Sequence, residues 1–467
     1  MQLYNTLTKK KETFKPIKEG EVLFYQCGPT VYSTQHIGNL RAAVLSDLIY
    51  RTFLYTDYKV KFARNYTDVG HLVSDGDSGE DKMEKGVKRE GISPTQIADK
   101  YIKIYEDDNK DLNNLEPTYK PQATSYVREM QSMIQTLLNK GFAYNTPLAI
   151  YFDISKFNNY TKLSRQKLEE NINGAGTGEI EDAEKRNPAD FVIWFFRAGV
   201  HKNALQYWPS NFISLLVENG NGFPGWHIEC SAMIKALLGD TIDIHMGGIE
   251  HVPVHHTNEI AQSESANDKP FVNYWLHNEH LLVNNAKMSK SEGTSYILAD
   301  VKAKGFKPLA LRYFFLQAHY RSKQNFTWEA MQSAETGYDR LLKNVASLGN
   351  KLGKTDEDLK KEFIKNISDD FNTSQAIATV QEVLKSNLSN EDKLATILDF
   401  DKVLGLNLMP VEKPEIIVPE AIQKILNDRE NARKNKDWEK SDELRDQIST
   451  LGYEVKDTDK GQEIVLK

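Results

Sequence analysis

Residues 21–67 constrain the fold more tightly than any other segment of the chain. "EVLFYQCG" (21–28) is a short apolar run closed by Gly28-Pro29, the pattern of a strand ending in a turn. After a loop around His36, Leu40, Val44 and Leu48 recur at four-residue spacing with Leu45 and Ile49 beside them, which predicts an amphipathic helix. "KVKFARNYT" (59–67) then reads as a second buried strand. Strand, loop, helix and strand form the first unit of a parallel α/β sheet, whose ligands sit at the carboxyl ends of the strands. Cys27, His36 and Thr67 all fall at that end.

A chain of 467 residues is too long for one core, and about three domains or more are expected. An apolar fraction of 40% and a charged fraction of 27% describe a globular protein, not a disordered one. No apolar run approaches the length of a membrane span, and the N-terminus lacks the pattern of a secretory signal. Two cysteines cannot build a disulfide framework, so a reducing cytoplasm is expected. The net charge of −7 argues mildly against a wholly polyanion-binding surface but leaves room for local basic patches.

The α/β rhythm breaks at 116–205, where a helix near 122–140, "AIYFDIS" and the loop-like "NINGAGTGEIEDAEKRNPAD" point to an inserted domain. Residues 69–91 read as a polar, exposed excursion. The rhythm returns with "GDTIDIHMGG" (239–248), a strand running into a Gly-Gly turn. From about 305 helical periodicity dominates and predicts a bundle. The three prolines of 408–419 suggest a linker, followed by charged helices over 420–450 and a closing hairpin.

Four constellations carry possible chemistry. If "VPVHHTNEIAQSE" (252–264) starts a helix, His255 and Glu259 project from one face. Cys27 and Cys230, the latter in "GFPGWHIECSAM", could complete a set of two thiolates, an imidazole and a carboxylate, a donor set suited to zinc. Spacing alone leaves open that both cysteines are apolar fillers. The His36-Ile37-Gly38-Asn39 turn opens a helix whose N-terminus offers free N–H groups to a phosphate, although an ordinary loop histidine fits the same four residues. "NNAKMSKSEGTS" (284–295) sets Lys287 and Lys290 among serines, suited to a pyrophosphate leaving group or simply to solvent. "GDTIDIHMGGIE" places Gly247, Gly248 and Glu250 where a nucleoside could approach the backbone, or where a strand merely turns.

Taken together, His36-Ile-Gly-Asn39 and Lys287-Met-Ser-Lys-Ser291 resemble the paired signature of the class I aminoacyl-tRNA synthetases. "CGPTVY", "GWHIECSAM", the "HHxNE" helix and "KMSKS" resemble the cysteinyl-tRNA synthetase family in particular. The likeness runs over nearly the whole chain, including "DDFNTSQA" (369–376) and the tail 432–458. It implies an α/β fold: a Rossmann-like catalytic domain in two halves, 1–115 and 206–270, with a connective domain inserted at 116–205. A signature-loop subdomain (271–325), a helix bundle (326–408) and a small α+β anticodon-binding domain (409–467) would follow.

The resemblance implies one Zn2+ held by Cys27, Cys230, His255 and Glu259 that binds the substrate thiolate. ATP, with Mg2+ expected, would meet His36, Gly38, Asn39, Gly247, Gly248, Glu250, Lys287, Met288, Ser289, Lys290 and Ser291. Gly28, Thr67 and Trp226 match positions lining the family's amino-acid pocket. The expected reaction joins L-cysteine to tRNA(Cys) through a cysteinyl-adenylate, in a cytoplasmic protein expected to act as a monomer and with no membrane partner. Arg433, Lys434 and Lys436 are candidate tRNA contacts, with Lys440 and Arg445 nearby, while Trp438 is assigned to a small core.

The chain departs from the family pattern at "VGHLVSDGDSGE" after Asp68, at "GIEHVPV" before His255, around 199–222 and at Glu292-Gly293-Thr294. None of these removes an expected zinc ligand. His71 and His251 are extra histidines near the site, to which structural or solvent roles are assigned. Two other readings remain: a ligase of the mycothiol type acting on an amino sugar, and a non-catalytic zinc- and RNA-binding paralogue. The tail weighs against the first, and intact signature lysines and His36 against the second.

Overall fold

A computed structural model describes residues 1–70, 82–167, 182–289, 292–409, 419–458 and 461–466. The strand Glu21–Gln26 runs parallel to Lys59–Arg64 on one side and to Ile242–Gly248 on the other. Val272–Asn278 adds in parallel beyond Ile242–Gly248 and completes a four-stranded sheet. Chain order therefore reverses between Glu21–Gln26 and Ile242–Gly248, and a crevice opens there beyond the strand ends. Aromatic side chains fill the sheet face; Phe24 stacks on Phe62 with ring centroids 4.5 Å apart.

The helix Ile37–Tyr55 begins where His36 caps it, its Nδ1 accepting from the Asn39 N–H at 3.2 Å. It ends at Thr56, whose hydroxyl donates to the Thr52 carbonyl. Apolar and polar residues around the whole helix are buried, because it lies between the sheet and later helices. Its Asp47 carboxylate accepts from both Arg51 and Arg312, tying it to the helix Pro308–Leu316.

Residues 82–90 correct the expectation of an exposed excursion: Lys82–Glu90 is a helix, packed through the buried Met83. Val87 follows four residues later on the same face and also packs on the core, a periodicity masked by the flanking polar residues. The rest of that excursion, including His71, lies outside the described residues. Ile242–Gly248 also runs further than expected. Gly247 and Gly248 remain paired with His277 and Asn278, and the turn follows at Ile249–His251.

Ala143–Asn145, Ala149–Phe152, Phe191–Phe196 and Gly222–Pro224 form a separate antiparallel sheet, with its fourth strand drawn from beyond residue 205. This sheet and the helix Val127–Asn139 share a core with Ile228, Ala232 and Met233 of the helix Trp226–Leu237. Leu281–Val283, Ala286–Lys287 and Gln324–Phe326 make a small sheet under the signature loop. Four helices follow, Trp328–Ala346, Glu357–Ile367, Thr373–Lys385 and Asn390–Leu404, and Phe363 stacks on Phe400 between two of them. An N-terminal hairpin, Gln2–Asn5 with Lys10–Thr13, had no counterpart in the sequence reading.

The chain divides into two units, Met1–Leu408 and Met409–Lys467. In the second, helices Glu420–Lys434 and Trp438–Thr450 pack with the hairpin Tyr453–Thr458/Gly461–Leu466 around Ile422, Leu426, Ile448 and Val455. Trp438 is not part of that core and is 58% exposed, which corrects its assignment. It stands at the first position of its helix, ahead of the buried Ser441, Leu444 and Ile448, with the Arg433 guanidinium 5.9 Å from its ring. The proline-rich linker expected at 408–419 falls almost wholly outside the described residues. No helix among the described residues is long and apolar enough to cross a membrane.

Candidate active site

Cys27 follows directly on the strand Glu21–Gln26, and its N–H donates to the Met246 carbonyl at 3.1 Å, which sets it at the crevice. The helix Trp226–Leu237 brings Cys230 to it, with the sulfurs 3.9 Å apart. The helix His255–Asn267 brings His255 and Glu259 one turn apart, with Nε2 and Oε1 at 2.9 Å. Cys27 Sγ lies 3.7 Å from the same Glu259 oxygen. These four donor atoms all lie within 4.8 Å of one another.

Donors about 2.0–2.3 Å from a tetrahedral zinc stand roughly 3.3–3.8 Å apart, so the sulfur and sulfur–oxygen spacings suit that ion. The His255–Glu259 pair is closer because it is joined by a direct hydrogen bond. Cys27, His245, His256 and Glu259 form a second group of the same compactness. The first group fits a metal better on two grounds. It offers two soft sulfurs, and Cys27, Cys230 and His255 line the cleft whereas His245 and His256 lie outside its lining.

Burial opposes charge throughout the cluster, yet the groups hold one another in ionised pairings. Burial disfavours the Glu259 carboxylate, but the His245 and His255 imidazoles outweigh it and hold its pKa well below the usual range. Burial likewise lowers His255, while Glu259 and Cys230 overcome it and push it up to about 10. A hydrogen bond with Cys27 brings Cys230 down to about 7, and burial with the Cys230 charge drives Cys27 well above the ordinary thiol range. Cys230 is therefore the first thiol to ionise, one step from the anionic donor a metal requires.

An outer ring of side chains orients the four donors. His245 Nε2 lies 2.9 Å from the second Glu259 oxygen, and His227 Nδ1 lies 2.9 Å from His255 Nδ1. His256 Nδ1 meets His277 Nε2 at 2.7 Å, and His277 in turn meets the Thr6 hydroxyl. Trp275 stacks on His245 at 4.7 Å and Trp226 lies 4.4 Å from the His255 ring. The sequence reading assigned no such role to His227, His245 or His277. They come from three separate segments, and the "WHIEC" and "HHTNE" motifs were the only local signal that two of the helices carried site residues.

A cleft of about 450 Å3 extends from this cluster. Gly28, Thr67 and Trp226 line it beside the cysteines, and His36, Gly38, Asn39, Gly247, Gly248, Glu250, Lys287 and Met288 line the remainder. The two signature segments touch: a Cβ at Gly38 would stand 2.3 Å from the Met288 terminal methyl, and the Ile37 N–H donates to the Tyr296 carbonyl. Glu259 stands behind the lining; Ser289 is not part of it, and its N–H donates to the Thr294 hydroxyl. Lys290 and Ser291 lie outside the described residues. His251, within the lining, stands edge-on to Trp226.

In the second unit, Arg433 pairs with Asp457 and Lys434 with Glu430, at 2.9 and 2.8 Å. Lys436 is exposed in the turn between the two helices, with a φ of 61°.

Comparison with known proteins bears on both units. Residues 13–336 match the model of the class I (C) tRNA synthetase catalytic domain, and residues 418–464 that of the cysteinyl-tRNA ligase anticodon binding domain. A cysteine–tRNA ligase of Treponema denticola is 40% identical over 491 residues, covering 98% of each chain. Cysteine–tRNA ligase 1 of Burkholderia lata is 40% identical over 466 residues, covering 99% of this chain and 96% of its own. A methionyl-tRNA synthetase of Mycobacterium tuberculosis, solved with methionyl-adenylate, shares the fold at a TM-score of 0.54 and 12% identity, over 84% of this chain and 92% of that one. With two thirds of its length in one catalytic family model and cysteine–tRNA ligases 40% identical over nearly its whole length, the chain belongs to the cysteine–tRNA ligase family of class I aminoacyl-tRNA synthetases.

Proposed function

We propose that this chain joins L-cysteine to tRNA(Cys) in two steps, with a zinc ion at Cys27, Cys230, His255 and Glu259 recognising the substrate thiol. The observation that carries the reading is the meeting, in one cleft, of a sulfur-rich donor set at one end and the His36 turn at the other. When bound, zinc would supply a soft Lewis-acid site that favours a thiolate over the harder, less acidic hydroxyl of serine. Discrimination of that size needs no second, editing site.

The protein's own groups then bind and orient. Gly28, Thr67 and Trp226 surround the amino acid, with the Trp226 ring beside His255. The cysteine carboxylate attacks the α-phosphate of ATP and pyrophosphate leaves; the terminal ribose hydroxyl of tRNA then displaces AMP. His36 and Asn39 sit at the N-terminus of the helix Ile37–Tyr55, whose dipole favours the phosphates and their growing charge. Gly38 lets Met288 close against this turn, beside Lys287. Lys287, Ser289, Lys290 and Ser291 are assigned to the pyrophosphate, with Mg2+ as counter-ion. Gly247 and Gly248 give the adenosine close access to the backbone, and Glu250 can accept from ribose hydroxyls.

The match of residues 418–464 to an anticodon-binding model supports tRNA, not an amino sugar, as the acceptor, with Arg433, Lys434 and Lys436 as backbone contacts. The two-cysteine composition supports a reducing, cytoplasmic setting, and the protein is taken to act as a monomer. ATP–pyrophosphate exchange measured with cysteine and serine side by side, on protein of known metal content, tests the proposal. Exchange that depends on cysteine, ignores serine and tracks zinc is expected; zinc-loaded protein without cysteine-dependent exchange would overturn it. Charging of a tRNA with a GCA anticodon, set against transfer to an amino sugar, tests the acceptor.

A further inference from the structure

Beside Cys27 a chain of hydrogen bonds runs through the wall of the cleft in one direction only. It starts at the Gly28 backbone N–H, which can only donate, and does so to Asn65 Oδ1 at 2.8 Å. That contact fixes the Asn65 amide, so its Nδ2 faces Thr67 and donates to the Thr67 hydroxyl oxygen at 3.1 Å. The Thr67 hydroxyl then donates its own proton to Glu229 Oε2 at 3.2 Å. Asn65, Thr67 and Glu229 are all buried, so water does not scramble these directions.

Of these, Asn65 and Thr67 line the cleft, whereas Glu229 does not. With its proton held by Glu229 and one lone pair used by Asn65, the Thr67 oxygen has only acceptor capacity left to offer a ligand. An N–H donor is welcomed there and a carboxylate is turned away.

We infer that Glu229 is a positioning residue which, through Thr67, makes the wall beside the thiol site an acceptor for the α-ammonium group of the substrate. This rests on the reading of the cleft as a cysteine site and adds how the amino acid is turned within it. With the thiol at Cys27, Cys230 and His255 and the ammonium at Thr67, the carboxylate is left to point along the cleft toward the His36 end, where the α-phosphate would lie. The arrangement selects an α-amino thiol over a thiol acid that lacks the amino group.

The test uses full-length, zinc-loaded protein and two ligands: cysteine, read as KM and kcat in exchange, and 3-mercaptopropionate, read as a competitive inhibitor. The latter keeps thiol and carboxylate but has no ammonium. Glu229→Met frees the Thr67 proton to turn into the cleft. It is expected to raise KM for cysteine about tenfold or more while the inhibition constant and kcat stay within about threefold. Thr67→Val is expected to give the same split, and Thr67→Ser, which keeps the hydroxyl, to restore the wild-type ratio. The Thr67 pair carries the test if Glu229→Met does not fold. Parallel weakening of both ligands, no change in either, or Thr67→Ser behaving like Thr67→Val would overturn the role of Glu229. Wild-type protein without cysteine-dependent exchange would instead remove the underlying reading of the cleft.

Discussion

The sulfur atoms of Cys27 and Cys230 lie 3.9 Å apart although 203 residues separate them in the chain. Two free thiols so close are held there by a sheet end and a helix, and with His255 and Glu259 they make a compact donor set. Cys230→Ser replaces a soft donor by a hard, barely acidic one. Bound zinc is expected to fall well below one per chain, and KM for cysteine to rise with it by about tenfold or more, as for other losses within a metal site. Metal analysis and exchange kinetics on one preparation check this; unchanged kinetics in the variant would mean that the ligand assignment is wrong.

Proton release provides an independent check. Burial works against charge on His255, but Glu259 and Cys230 push its pKa up to about 10, and burial with Cys230 drives Cys27 well above the usual thiol range. At neutral pH the metal-free site therefore carries protons on both groups, and coordination must remove them. Zinc affinity is expected to rise with pH, with between about two and three protons released per ion at neutral pH, the fractional part coming from Cys230, whose pKa is about 7. Calorimetry in buffers of differing ionisation enthalpy counts them, and a count of zero would contradict the proposed pairing. The same shift makes His255 stabilise the metal-free fold fully below its unfolded pKa, and that contribution is lost as pH rises through about 10.

Asp47 anchors the helix that carries His36 at its start. Its carboxylate is buried and accepts from Arg51 Nε at 2.8 Å, Arg312 Nη2 at 2.6 Å and the Leu115 N–H at 2.7 Å. Asp47→Asn keeps the shape but takes from two buried guanidinium groups the carboxylate they are bonded to, leaving only the more distant Asp401 as counter-charge. A loss of about 3–5 kcal/mol is expected in urea unfolding, since an unpaired buried charge is far costlier than the pair is stabilising. A loss under about 1 kcal/mol would mean that the Arg312 contacts to the Leu112 and Leu404 carbonyls suffice.

Much of this was legible in the sequence because the chemistry sits at element ends. Cys27 closes a strand, His36 opens a helix, and His255 and Glu259 share a helical face, each legible from local pattern, whereas the meeting of these distant segments came only with the family resemblance. The ring of His227, His245 and His277 was not legible, since it depends on which faces of two helices and two strands meet. The N-terminal hairpin escaped because "KKET" has no apolar alternation; its strand is held by pairing with Gln2–Asn5. Trp438 was misjudged for the opposite reason. A large aromatic suggests a core, but Trp438 sits at the very start of its helix, beyond the buried Ser441, Leu444 and Ile448, and is left 58% exposed.

In the second unit the three candidate tRNA contacts are not equivalent. Arg433 is held by Asp457 and Lys434 by Glu430, so part of their charge is already answered within the protein. Lys436 stands exposed in a left-handed turn between the two helices, beside the exposed Trp438. Lys436→Asn removes the charge with a residue that tolerates the positive φ, so the turn itself should persist. If Lys436 meets a tRNA phosphate, the variant should bind more weakly at low salt and show a log affinity against log salt slope shallower by about 0.7–0.9. Arg433→Ala is expected to differ, lowering the thermal stability of this unit as well, because it also takes a partner from Asp457. Filter-binding titrations across a salt series, paired with thermal melts, separate the two effects. An unchanged slope for Lys436→Asn would remove that residue from the interface.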